Sequence, residues 1–372
     1  MGVYQRLGVK QYINAAATLT MYGGSLLSDE TMAAMAEASR SYVDIDDLHQ
    51  RVGERLAQLT HNEAAFICNG AASGIFLATA AAIAGDDAEA LDRLPFSDGL
   101  RNEIVLSQAG RVEYDVAIQS AGGKRVLYGD DGGGTVRQLE AAITDKTAAI
   151  FLYYFEHRMG NRPPLETQVR IAREHGIPLI VDAAAQLPRR ENLWRFTQAG
   201  ADVVIFSGGK GLRGPQSSGL MVGRREMIER IRRIASPHDG IGRPMKVGKE
   251  EIVGLLSAVE QFMLQDEDAV LADYERQVKA VVDAFVGDDA FDVVRGFPSE
   301  AGQPMPWAIV TPKPGRLKAD NLELAAQLLA GDPGVVVLSR NGGIQINPQT
   351  LEDGQIAVVI NQLRRVLDAN RV

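Results

Sequence analysis

From about residue 63 to 224 the chain alternates short apolar runs with amphipathic stretches. Strands covered by helices on both faces read as continuous Val/Ile/Leu-rich runs, so this alternation predicts parallel βαβ units. Seven runs are expected to be strands: 64–68, 103–106, 125–128, 148–154, 178–182, 203–207 and 219–222. Helices are expected between them over 71–84, 113–121, 136–143, 166–175 and 193–199. Together they predict one large α/β domain, doubly wound on a mostly parallel seven-stranded sheet.

Two helices are expected ahead of that block, over 29–41 and 46–60, with Asp29 and Glu30 suiting the first-turn dipole of the former. After Arg224 come helical stretches near 225–235 and 249–285. A smaller α+β segment follows, with strands over 291–295, 307–311, 335–339 and 344–346, a helix near 318–330 and a final helix from Glu352. The expected division is an N-terminal arm (1–20) packing near the small domain, a large α/β domain (21–255) and a small C-terminal α+β domain (256–372). A length of 372 residues agrees with two domains.

A formal net charge of -9 argues against a general nucleic-acid binder, which would present a basic face. Cys68 is the only cysteine, which rules out an intrachain disulfide and fits a reducing cytoplasm. The N-terminus has no apolar signal core, and the Ala-rich run 71–84 is too short to span a bilayer. The expectation is a cytoplasmic protein without membrane or nucleic-acid partners.

The run Val203-Val204-Ile205-Phe206-Ser207-Gly208-Gly209-Lys210 delivers an amine to the carboxyl end of a buried strand. Twenty-eight positions earlier, Leu179-Ile180-Val181 ends in Asp182. Parallel sheets bind ligands outside the carboxyl ends of their strands. An amine and an acid placed there suit pyridoxal 5'-phosphate (PLP): the lysine forms the Schiff base and the acid pairs with the pyridine nitrogen. Taken separately, Lys210 reads first as a rim lysine, and Asp182 also suits a helix N-cap; together the pair outweighs those readings. Gly208, Gly209 and Gly211 are expected to leave room for a flat ring. A phosphate anchor is expected where Cys68-Asn69-Gly70-Ala71-Ala72-Ser73-Gly74 joins a strand to a helix, through free N–H groups and the Ser73 hydroxyl. The same residues also suit a purely structural turn. Ser207 offers a further hydroxyl.

The spacing of Gly70-Ala-Ala-Ser73, Asp182-Ala-Ala-Ala-Gln186 and Ser207-Gly-Gly-Lys210 resembles fold-type I PLP-dependent enzymes. The strings Ile13-Asn14-Ala15, 206–216 and 242–250 narrow the resemblance. They are similar to the group of selenocysteine synthase (seryl-tRNA selenium transferase) and D-glucosaminate-6-phosphate ammonia-lyase, over nearly the whole chain. The resemblance implies a fold-type I transferase architecture, with Lys210 and Asp182 as catalytic residues. Gly70, Ala71, Ala72 and Ser207 then cradle the phosphate. Gln186 stands four after Asp182, where many relatives have Gln three after. Gln108 occupies the region that faces the ring. The site is shared across a homo-oligomer in such enzymes, so Arg243, Lys246 and Lys249 form a basic cluster able to reach a neighbour's cofactor.

Arg340 is a candidate clamp for a substrate carboxylate, and Arg189, Arg190, Arg243 and Lys246 for a distal anion. His157 is a candidate acid or base, His175 a helix-end residue, His49 a helix-surface residue and Cys68 a core residue. No histidine pair has metal-ligand spacing, so no metal is expected. The expected reaction is PLP-dependent elimination of the β-hydroxyl of a polar amino acid or aminosugar acid, such as D-glucosaminate 6-phosphate, giving a 2-oxo acid and ammonia. Transamination, racemisation and β-substitution use the same machinery and stay open, as does a non-catalytic protein on this fold. Selenium transfer to seryl-tRNA is not expected, since the chain lacks a basic N-terminal region and its net charge repels RNA.

Overall fold

In a computed structural model, which describes residues 2–156, 160–340 and 342–372, the chain opens with α1 (Val3–Leu7) and β1 (Tyr12–Asn14). Neither element was expected from sequence. β1 is three residues long and pairs in parallel with Gly334–Val336, far along the chain, so no local pattern announces it.

Next come α2 (Asp29–Ala38) and α3 (Ile45–Leu59), whose starts are fixed by side-chain caps. Ser28 Oγ accepts the Thr31 N–H at 3.1 Å and Asp44 Oδ1 the Asp47 N–H at 3.0 Å. Then follow β2 (Ala64–Cys68), α4 (Ala71–Ala84), α5 (Ala88–Arg93), β3 (Glu103–Ser107), α6 (Val116–Ser120), β4 (Lys124–Tyr128), α7 (Val136–Ala142) and β5 (Thr147–Tyr153). The block closes with α8 (Leu165–Glu174), β6 (Leu179–Asp182), α9 (Asn192–Ala199), β7 (Val203–Ser207), β8 (Gly219–Gly223), α10 (Arg225–Ile234) and α11 (Lys249–Leu264). The strands form a seven-stranded sheet in the order β2-β8-β7-β6-β5-β3-β4. Only β8 runs antiparallel to its neighbours; the other pairings are parallel.

Successive strand residues point to opposite faces, and both faces are buried on every strand but the edge strand β4. Ile104, Phe151, Ile180 and Ile205 join one core with α4 and α10, while Val105, Leu152, Val181 and Val204 join the other with α3, α8, α9 and α11. This is why the strands read as unbroken apolar runs. α4 packs closely: a Cβ on Gly74 would fall 2.8 Å from Ile205 Cγ2.

The stretch 249–285 is two helices, because Asp266 ends α11 and caps α12 (Glu267–Phe285) by accepting the Ala269 N–H at 3.0 Å. The chain divides at this point. One unit comprises residues 26–265, and the other comprises 1–25 with 266–372. The sheet unit thus runs ten residues beyond 255, since α11 buries Ile252, Leu255, Val259 and Phe262 in its core. The second unit adds β9 (Phe291–Gly296), β10 (Trp307–Pro312), α13 (Asn321–Ala330), β11 (Gly334–Val336), β12 (Leu338–Arg340), β13 (Gly343–Ile346) and α14 (Gln355–Ala369). The run 335–339 is split: β11 pairs with β1, whereas β12 enters a four-stranded sheet ordered β12-β13-β10-β9. Among the described residues no helix is long and apolar enough to cross a membrane.

His49 is not a surface residue. It is 4% exposed on α3 and stacks on Phe66, with centroids 4.6 Å apart and planes 18° from parallel. Burial lowers its pKa from 6.5 to about 4. The unfolded chain therefore takes up a proton near pH 6.5 that the folded chain refuses until about pH 4, and stability falls as pH falls through that window. The loss amounts to about 3 kcal/mol in full. In urea unfolding, His49→Phe is expected to flatten the decline between pH 7 and pH 5; an unaltered slope would assign the acid sensitivity to other groups.

Candidate active site

β6 and β7 are adjacent and parallel, with Asp182 in register with Ile205. Asp182 is the last residue of β6 and is 8% exposed. Its Oδ1 accepts the Ala184 N–H at 2.8 Å. Burial pushes its carboxyl up to about 6, against the opposing pull of that N–H and of the Lys210 charge. Lys210 is half-buried in the turn that follows β7, within electrostatic reach of Asp182.

That turn is tightly built. Gly208 N–H donates to the Ser218 carbonyl at 2.9 Å, Gly214 N–H to the Gly208 carbonyl at 2.8 Å, and Arg213 N–H to the Lys210 carbonyl at 2.9 Å. The three glycines serve this turn and do not open space for a ring. A Cβ on Gly208 would lie 2.0 Å from Ser218 Oγ, one on Gly209 2.5 Å from Gln216 Oε1, and one on Gly211 2.7 Å from Leu187 Cβ. The protein's own atoms fill that room.

Open space lies instead at the start of α4. Gly70 caps this 14-residue helix at φ +111, and a Cβ there would meet nothing within 4 Å. The first intrahelical bond is Gly74 N–H to the Gly70 carbonyl at 3.1 Å, which leaves the N–H groups of Ala71, Ala72 and Ser73 directed out of the helix end. Cys68, Gly219 and Ser207 lie side by side across β2, β8 and β7. A Cβ on Gly219 would be 2.8 Å from the Gly70 carbonyl carbon, so Ser207 stands two strands from the helix start. The Cys68 thiol, pushed up to about 12 by burial, donates to the Gly70 carbonyl at 3.2 Å and is a core group.

These residues fit PLP. A helix N-terminus free of Cβ suits the phosphate, and a buried carboxylate with a lysine nearby suits the ring nitrogen and the aldehyde. Asn69, a member of the anchor run with no separate role expected from sequence, has a buried Oδ1 without a hydrogen-bond partner in the same turn. Its position directly before Gly70 was the available signal.

Other candidates are placed differently. Gln186 is 1% exposed, and its Oε1 accepts the Glu156 N–H at 3.1 Å. Gln108 follows β3 at the same sheet edge, where its Nε2 donates to Asp131 Oδ1 at 2.9 Å. Arg243 and Lys246 are exposed, and both belong to the sheet unit. Lys249 pairs with Glu250, and Arg190 donates to the Gln265 carbonyl. Arg340 is exposed at the end of β12 in the other unit. His175 is the C-cap of α8. His157 lies outside the described residues. Among the described residues no group of three or more His, Cys, Asp or Glu side chains is arranged to hold a metal ion.

Known proteins resemble this chain over nearly its whole length. D-glucosaminate-6-phosphate ammonia lyase of Salmonella typhimurium is 34% identical over 98% of both chains. A 5'-C-glycyluridine monooxygenase-decarboxylase from a Streptomyces species is 35% identical over 98% of this chain and 92% of its own. A solved D-glucosaminate-6-phosphate ammonia-lyase superposes with a TM-score of 0.85 at 31% identity, covering 100% of this chain and 99% of that one. The fold is that of the fold-type I PLP-dependent enzymes. The family model for L-seryl-tRNA selenium transferase matches residues 13–272, a stretch that includes residues 70–73, Asp182 and Lys210. On that match and on the near full-length relatives, the chain belongs to the L-seryl-tRNA selenium transferase (SelA) family.

Proposed function

We propose that this protein is a PLP-dependent ammonia-lyase acting on a polar amino acid or aminosugar acid, with loss of the β-hydroxyl and release of ammonia and a 2-oxo acid. The observation that carries the reading is the placement of Asp182 and Lys210 beyond adjacent parallel strands, in a chain 34% identical end to end to D-glucosaminate-6-phosphate ammonia lyase. When bound, PLP supplies an electron sink for the charge left at Cα after proton removal. Lys210 Nζ would tether the cofactor and, once displaced by the substrate amine, take the Cα proton. Asp182 would hold a proton at the ring nitrogen, a task suited to a carboxylate kept from water. Gly70, Ala71, Ala72 and Ser73 would hold the phosphate with Ser207, and Gln108 would border the ring. Arg189, Arg243 and Lys246 remain the candidates for a distal anion, Arg340 for the substrate carboxylate and His157 for an acid or base.

We further propose a homo-oligomer with shared sites, acting in the cytoplasm. Exposed apolar side chains in the first fifty residues support an assembly, among them Leu7 at 70%, Met21 at 79% and Tyr42 at 103% exposure. Light scattering at micromolar concentration is expected to give a dimer or larger; a monomer would remove the shared site from the proposal.

The two relatives of near-equal identity carry out different reactions by name, so the assay must separate them. Purified protein with PLP is incubated with aminosugar acids and D- and L-amino acids, while ammonia, 2-oxo acid, carbon dioxide and oxygen uptake are followed. Ammonia and 2-oxo acid in equal amounts, without oxygen uptake, are expected. Carbon dioxide release coupled to oxygen consumption would replace the lyase with an oxidative decarboxylase. A 2-oxo acid formed only with an added amino acceptor would indicate transamination.

A further inference from the structure

Arg162 lies in the connection between β5 and α8 and is only 6% exposed. A guanidinium keeps its charge at any working pH, and taking it out of water is costly unless its donors are used. Burial here is strong enough to lower its pKa. Its Nη1 donates to the Tyr153 carbonyl at 3.0 Å, at the last residue of β5. The N–H of the same peptide unit, that of Tyr154, donates to the Asp182 carbonyl at 2.9 Å. One rigid peptide plane is therefore held from one side by Arg162 and from the other by the backbone of Asp182.

The guanidinium also meets the loop after β3. Gly110, two residues past Gln108, adopts φ +72, and a Cβ there would come within 2.8 Å of Arg162 Nη1 and 3.1 Å of Cζ. The neighbouring Asn161 is seated on the loop after β4: its carbonyl accepts the Gly134 N–H at 3.4 Å, and a Cβ on Gly133 would fall 2.8 Å from Asn161 Cβ.

We infer that Arg162 is a positioning residue that locks the carboxyl ends of β3 and β5 together and so fixes where the Asp182 backbone and the Gln108 loop present themselves to the cofactor. The inference rests on the PLP site proposed above. A displacement of about 1 Å in such a constellation is enough to lower turnover by up to about 100-fold, so a buried clamp outside the reacting groups has a direct functional consequence.

The test uses Arg162→Met, Arg162→Lys and Gly110→Ala in the full-length protein. Affinity for PLP is read by absorbance titration and the asymmetry of the bound cofactor by its induced circular dichroism. Backbone hydrogen exchange over residues 150–156 is measured on protein without added PLP. Arg162→Met is expected to weaken PLP binding about tenfold or more, reduce the induced signal and speed exchange at Tyr154 by a similar factor. Arg162→Lys should recover part of each loss, since an ammonium can still donate to the Tyr153 carbonyl. Gly110→Ala should move the readings in the same direction, through crowding of the guanidinium and through backbone strain at φ +72.

Wild-type affinity, induced signal and exchange in Arg162→Met would overturn the clamp. If Arg162→Met fails to fold, Arg162→Lys and Gly110→Ala decide by the same readings. If the wild-type protein itself takes up no PLP, the cofactor reading fails, while the exchange comparison still decides whether the clamp exists.

Discussion

Lys210→Ala is expected to lower turnover by about 10⁴-fold or more, because one amine serves as both cofactor tether and Cα base. The side chain is half-buried and closes no core, and the turn around it is held by backbone bonds from Gly208, Arg213 and Gly214. The variant should therefore fold like the wild type and hold PLP without the visible absorption of a covalent adduct. Added small primary amines should restore a measurable fraction of the rate. Full turnover in Lys210→Ala would remove the amine from the chemistry and with it the whole reading.

The second large effect lies at Asp182, where function and stability are expected to move in opposite directions. Burial raises its folded pKa from the usual 3.8 to about 6. Between those values the folded chain holds a proton that the unfolded chain has released, so this group's contribution to stability falls as pH rises from about 4 to 6 and stays low at neutral pH. The cost at pH 7 is on the order of 3 kcal/mol, discounted for whatever relaxation the site allows. Asp182→Asn keeps the shape and an oxygen for the Ala184 N–H but removes the buried charge. It should raise the thermal midpoint of the PLP-free protein at pH 7 and lose that advantage near pH 4. Turnover should fall by at least about 100-fold, since the ring nitrogen would lose its anionic partner. A variant both less stable at pH 7 and fully active would contradict the assignment twice.

The seven strands of the sheet unit were readable from local patterns. β2, α4 and β7 begin and end where their apolar runs do, and the Gly70, Asp182 and Lys210 motifs fall at the strand ends that the βαβ alternation predicts. The smaller unit was less legible. The run 335–339 looks like one strand, yet its halves serve two sheets, and β1 exists only because Gly334–Val336 lies beside it. At the site, the glycines around Lys210 were read toward the cofactor by their spacing. Their neighbours Ser218, Gln216 and Leu187 come from other parts of the chain and claim that room for the protein itself. His49 carries a polar label in sequence, and only the stack on Phe66 shows it to be core.

Sequence by itself determined the succession of the seven strands of the large sheet along the chain, the doubly wound class and the amine and acid that stand at the ends of two core strands. These follow from periodicity and from residue chemistry, both of which are local. The tertiary structure alone decided which polar side chains are spent on the fold, and it raised the Asp182 pKa and brought Arg162 under the Tyr153 carbonyl. Burial and hydrogen-bond geometry depend on residues distant in the chain, and no window of sequence contains them.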